Sequence, residues 1–218
     1  MVEELGDVSK ATGLTMNRSK TMVMRNEWAD VSPITLEGTT LPFTDSYVYL
    51  GRLLSMDSNL RAEIMRGRRC AWAAIGSIKE AAHLVSDKKV RADLSDFTVL
   101  PALCYASETW AENKTSTLML VRAQRALERT LLKINRAKRR NLNLRSADMR
   151  SMSGIRDAEK YAWNAKKRWA GHVVRCTDDR WTTRVTFWYP REIKRTLGRP
   201  ATRWSDSLKK LQGNVGQH

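Results

Sequence analysis

Hydrophobic and polar positions divide this chain into three stretches with different rhythms. Residues 2–11 read as the closing turns of a helix that stops at Gly13, a residue able to take the left-handed backbone that ends helices. From Thr15 to Leu53 the apolar residues come in short runs, Met22 to Met24, Ile34 to Leu36 and Tyr47 to Leu50, broken by Pro33, Gly38 and Pro42. This punctuation predicts hairpin-connected strands in a small β patch. After Asp57 the spacing shifts to three, four and seven, and nearly everything reads as helix.

The first long helix carries Leu60, Ile64, Ala71, Ile75, Ile78 and Ala82 on one face and Arg61, Arg66, Arg68, Arg69 and Lys79 on the other. A second is expected from Asp87 to about Tyr105, capped by Ser86, with Val90, Leu94, Phe97, Leu100 and Leu103 as its apolar face. Pro101 should bend or divide it. A third, near Thr115 to Ile134, buries Leu120, Leu127, Leu131 and Ile134 and exposes Arg122, Arg125, Arg129 and Lys133 as one positive stripe. The run Arg136 to Arg140 reads as an exposed linker, and a further helix is expected from about Arg156 to Cys176. There is no internal repeat and no low-complexity tract.

Charge changes this picture more than composition does. The 218 residues hold 39 Lys and Arg against 23 Asp and Glu, a formal charge of +16, while a 42% hydrophobic fraction is enough for a core. The excess is local: residues 1–60 hold five cations and eight carboxylates, whereas residues 120–218 hold 25 and eight. Folded helices so charged repel themselves unless a polyanion compensates, so nucleic acid is the expected partner. The alternative is a non-catalytic helical module whose positive face meets acidic protein or RNA scaffolds. A membrane partner fits poorly, since no helix joins this charge to a wide apolar face and the low-charge stretch Phe97 to Thr109 is short and contains Pro101. The N-terminal MVEELGDVSK has no basic and apolar regions of a signal peptide, so an intracellular location, nucleus or cytoplasm, is expected rather than secretion.

Self-contained chemistry is not evident. Cys70, Cys104 and Cys176 are odd in number and form no CxxC pair, so no disulfide-linked partner is expected. His172 and Cys176 share a helix face, but no second pair completes a zinc site. Asp178 and Asp179 lack a third carboxylate and read as a cap and counter-charge for nearby arginines. Phosphate-loop, metalloprotease and nucleophile-elbow motifs are missing, and His83, His172 and His218 have no evident nucleophile partner. Trp169, Trp181, Trp188 and Trp204 lie among Arg and Lys and could stack on unpaired bases. The preferred reading makes them the core of a small terminal module, because Trp is usually largely buried.

Several segments, in order along nearly the whole chain, resemble the reverse transcriptases of non-LTR retrotransposons of the RTE-like endonuclease-reverse transcriptase type. They are GLTMNRSKTMVM (Gly13 to Met24), YVYLG (Tyr47 to Gly51), LPALCYASETW (Leu100 to Trp110), RWAGHVVR (Arg168 to Arg175), DDRW (Asp178 to Trp181) and GRPATRWSD (Gly198 to Asp206). The resemblance implies a mainly α chain: a palm end with a primer-grip-like hairpin over residues 1–56, a helical thumb-like region over 57–140 and a basic Trp-rich C-terminal module over 141–218. It places Lys20 near the incoming nucleotide's phosphates and Tyr49, Leu50 and Gly51 in the primer grip. The nucleic-acid-binding set is then Arg122, Arg125, Arg129, Lys133, Arg139, Arg140, Lys166, Lys167 and Arg168.

The departure concerns catalysis. Polymerases of this family hold two Mg ions on palm carboxylates, including an aromatic-Ala-Asp-Asp hairpin that would precede Gly13, and these 218 residues contain none. The chain is therefore expected to be a C-terminal fragment of an RNA-directed DNA polymerase, inactive alone, with no catalytic residue and no bound cofactor.

Overall fold

The computed structural model describes residues 2–26, 29–178, 180–188, 198 and 202–208, which form a mainly helical chain in two compact units divided between Asn59 and Leu60.

The first unit opens with helix α1 (Val2–Ala11), closed by Gly13 at φ +77°. Two short antiparallel hairpins follow, β1 (Thr35–Leu36) with β2 (Thr39–Thr40) and β3 (Ser46–Tyr49) with β4 (Arg52–Ser55). Each turns through two residues with positive φ, Glu37 and Gly38 in the first, Leu50 and Gly51 in the second. Such turns match the twist of the strands they join and favour residues like Asn and Gly. Leu36 packs against Gly6 closely enough that a Cβ there would lie 3.1 Å from Leu36 Cδ1. Around this contact the Glu3 carboxylate accepts the Glu37 amide at 2.9 Å, and the Glu37 carboxylate pairs with Lys10 and Arg18. Among the described residues of this unit only Gly6, Leu36 and Leu41 are buried, so its apolar side chains largely face outward.

The second unit is built on α2 (Leu60–Leu84), whose buried stripe runs Leu60, Ile64, Gly67, Ala71, Ile75, Ile78 and Ala82. Against it pack α3 (Lys88–Leu103) and α4 (Lys114–Leu131), with a one-turn 3-10 segment at Ser107–Thr109 between them. Gly67 is required by the packing, because a Cβ at this position would lie 2.6 Å from the Leu103 carbonyl oxygen. Asn113 and Ser116 cap α4 reciprocally, each side chain accepting the other's amide at 2.9 Å. Beyond α4 come α5 (Arg136–Asn141), α6 (Ser146–Ser153), α7 (Ala158–Arg175) and α8 (Trp181–Phe187). Both α6 and α7 pack on α4. Ala158 and Ala162 of α7 complete a core shared with Leu100, Leu103, Trp110, Leu120, Leu127 and Leu131.

Four sequence expectations are corrected here. The run Arg136 to Arg140 is helix rather than linker, because Asn135 caps it by accepting the Lys138 amide at 2.7 Å. Pro101 does not divide α3, which runs to Leu103 and begins at the Asp87 cap rather than at Ser86. Pro101 lies in the final turn, where its missing amide costs one hydrogen bond at a helix about to end. The buried face of α3 is Ala92, Ser95, Asp96, Val99, Leu100 and Leu103, so Val90 and Phe97 are exposed.

Candidate nucleic-acid interface

Helix α4 positions its arginines by the same periodicity that buries its leucines. With Leu120, Leu127 and Leu131 held in the core, Arg122 and Arg125 are exposed on the other side and Arg129 is half-buried at its edge. The helix then closes in a left-handed turn: Ile134 donates to the Arg129 carbonyl at 3.0 Å and Lys133 to Thr130 at 3.2 Å, with Lys133 at φ +54° where glycine is usual. This turn takes Lys133 out of the helical stripe, though it remains exposed. It also swings α5 round so that Arg136 and Arg139 approach Arg129. Burial, then the charges of Arg136 and Arg139, pull the Arg129 guanidinium below its ordinary pKa.

Three like charges held together are a costly arrangement that an anion relieves. Arg139 is fixed by donating to the Leu144 carbonyl at 2.9 Å and to Ser146 Oγ at 3.4 Å. With Arg125, Glu128, Arg129, Ser146 and Met149 it lines a small depression. Arg136, Lys138 and Arg140 are exposed beside it. Arg136 was missing from the binding set named above, although the run Arg136 to Arg140 contained it.

Glu128 opposes this repulsion at Arg129, but less than Arg136 and Arg139 supply it. Glu128 is buried, and burial pushes its pKa up against the opposing pull of Arg150, Arg125 and Arg129. Its Oε1 accepts from Arg150 Nε at 3.0 Å, and Arg150 also pairs with Asp157. Gln124 lies beside them, donating to the Arg156 carbonyl at 2.7 Å and accepting the Ala158 amide at 2.8 Å. Asp96 holds the Arg156 side chain at 3.0 Å. These groups fasten the α6-α7 junction to α3 and α4 and so hold the cationic surface in place. Sequence reasoning missed them; the available signal was polar residues in the buried register of α3 and α4.

Of the cations expected on α7, Lys167 and Arg168 are exposed, but Lys166 is a correction. It is 0% exposed, donating to the Trp110 carbonyl at 2.7 Å and to Glu112 at 2.5 Å, with the Trp204 ring centre 5.6 Å away. It is a structural tether, closed to phosphate. The expected Trp core is also corrected. Trp181 and Trp188 are 75% and 71% exposed and Trp169 is at the surface, whereas Trp204 is half-buried and donates to the Glu108 carbonyl at 2.6 Å.

In the first unit Lys20 is exposed at the end of a turn organised by Asn17, whose side chain accepts the Lys20 amide at 3.2 Å. Tyr49, Leu50 and Gly51 form the tip of the second hairpin, with Leu50 76% exposed. Asp178 pairs with Arg180 at 2.5 Å, while Asp179 and residues 199–201 of the GRPATRWSD segment lie outside the described residues. His172 Nε2 and Cys176 Sγ are 3.8 Å apart. Among the described residues no three His, Cys, Asp or Glu side chains gather to hold a metal, so these residues do not fit a two-magnesium centre. All three cysteines are free, and no described helix is long and apolar enough to cross a membrane.

No protein-family model matches the chain, and no solved structure matches it. A protein of Caenorhabditis elegans described as transposon-derived and uncharacterized is 42% identical over 214 residues, covering 96% of this chain and 77% of that relative. Identity at this level across nearly every helix described above leaves one conclusion about ancestry: the chain belongs to the family of this transposon-derived protein.

Proposed function

We propose that this chain is the nucleic-acid-binding thumb and C-terminal part of an RTE-like retrotransposon reverse transcriptase, gripping a duplex through its phosphates. The observation that carries the reading is the cationic surface where α5 brings Arg136 and Arg139 against Arg129, beside exposed Arg122 and Arg125. Phosphate contacts supply most of the affinity in sequence-independent binding, and arginine forks suit them. The transposon-derived relative supports a mobile-element origin. The exposed apolar tip at Tyr49 and Leu50, with its strained left-handed leucine, suits a hairpin that positions a primer end. Lys20 would contact nucleotide phosphate in the same reading. The proposal assigns binding to these residues and no polymerase step.

The test is fluorescence anisotropy on a 20-base-pair RNA-DNA duplex across a salt series. Log affinity should fall linearly with log salt, and changing Arg122, Arg125 and Arg129 together to Glu should reduce the slope by about 2 to 3. A triple variant that binds the duplex like the parent would show that α4 does not meet the backbone. The interaction-module reading would then gain support.

A further inference from the structure

We infer that α8 and the end of α7 form a second nucleic-acid site, distinct from the α4-α5 arginines, which takes unpaired nucleotides by stacking their bases on Trp181 and Trp188. Tryptophan is the side chain that gains most from burial, yet these two lie open to solvent. Trp181 opens α8 and Trp188 caps its C-terminal end, with Arg184 between them. Arg184 lies over the Trp181 ring, 5.6 Å from its centre. Phe187 adds a third exposed ring. On α7, Trp169 stands 5.5 Å from the His172 ring.

The chemistry of this surface selects its occupant. It is aromatic rather than aliphatic, and aromatic faces beside guanidinium groups are what stacked bases and their phosphates require. Residues 167–188 hold five Lys and Arg against two Asp, so charge complementarity calls for a polyanion. The same charge disfavours a second copy of this chain, whose matching face would bring Arg against Arg. Seven residues of helix span about 10 Å, the rise of about three stacked nucleotides. Duplex, whose bases are already stacked, has nothing to offer these rings. The surface therefore binds where strands are single, in RNA or DNA, because every base presents a π face.

The test uses the full chain and two probes, a labelled 12-mer of uridine and the blunt 20-base-pair duplex. Changing Trp181 and Trp188 together to Ala should weaken the 12-mer by at least about 25-fold, from about five-fold or more for each ring. Duplex affinity should stay within about two-fold. The converse variant, Arg122, Arg125 and Arg129 to Glu, should weaken the duplex more than the 12-mer, so failure of the thumb reading and failure of this one look different. Circular dichroism and a thermal melt check that each variant folds, and changing both Trp to Phe should restore most of the 12-mer affinity. Two results overturn the proposal: an Ala pair that binds the 12-mer like the parent, or a Leu pair that binds it as well as the Phe pair. Loss of binding to phosphatidylserine vesicles with the 12-mer unaffected would also overturn it, in favour of a lipid surface.

Discussion

Changing Lys166 to Met keeps the length of the side chain and removes its charge and its donors, which separates structural from binding roles at one position. In the folded chain Lys166 Nζ satisfies the Trp110 carbonyl at 2.7 Å and the Glu112 carboxylate at 2.5 Å, at a point with no solvent exposure. Methionine leaves that carbonyl without its donor and Glu112 without its counter-charge. Removing one member of a fully buried pair costs about 3–5 kcal/mol. The Glu112 side chain is 20% exposed and recovers some hydration, so a loss of about 2–3 kcal/mol is expected here. For a unit of this size that is a fall in Tm of about 5–10 °C. The assay pairs calorimetric melts with duplex salt titrations, and Lys167→Met is the comparison. Lys166→Met should lower Tm and leave the salt slope unchanged. Lys167→Met should leave Tm within about 2 °C and, where Lys167 meets a phosphate, reduce the slope by about 0.9. A Lys166→Met protein with parental Tm and a flatter slope would refute the tether.

Two further outcomes follow from the packing of the second unit. Gly67→Ala should destabilise by about 1–2 kcal/mol despite alanine's better helix propensity, because the new methyl meets the Leu103 carbonyl and α2 must move away from α3; urea unfolding measures it. Burial pushes the Cys104 thiol up to about 12, so at pH 8 iodoacetamide should modify exposed Cys70 and spare Cys104 until the chain is unfolded, as read by mass spectrometry. The pH dependence has a fixed sign: the unfolded thiol loses its proton near 9 and the folded one near 12, so this contribution to stability is complete below 9 and disappears as pH rises through 12.

The long helices were readable because their buried residues repeat at three and four, and α2 and α4 follow that rule with leucine, isoleucine and alanine. In helix α3 Leu100 and Leu103 were placed correctly, but its buried face also includes Ser95 and Asp96, which a search for apolar spacing rejects, while Phe97 beside them points outward. Asp96 is buried because it holds Arg156, a partner 60 residues away that no local pattern reveals. Helix α6 went unread because eight residues with only Met149 and Ser153 buried carry too little period. Lys166 was assigned to the surface by residue type, although Ala158, Ala162 and Lys166 recur every four residues on the buried side of α7. Of the interface, the exposure of Arg122 and Arg125 followed from periodicity. The approach of α5 did not, because it depends on a left-handed lysine.

Helix α7 would also set much of the spacing between the two proposed sites. It is fastened to α4 where Gln124 accepts the Ala158 amide and, just before it, to α3 where Asp96 accepts the Arg156 amide, and from there it runs 18 residues to Arg175. At about 1.5 Å per residue this is a rod of about 27 Å, matching about eight nucleotide steps of duplex. Gln124 of α4 is fastened at one end of this rod and Trp181 opens α8 beyond the other, so the separation of the two proposed sites depends on α7 together with residues 176–180. In the proposed reading, the distance from the α4 arginines to a junction between paired and unpaired strand would follow the length of α7. Inserting or deleting a turn of α7 should shift that footprint by about the same length.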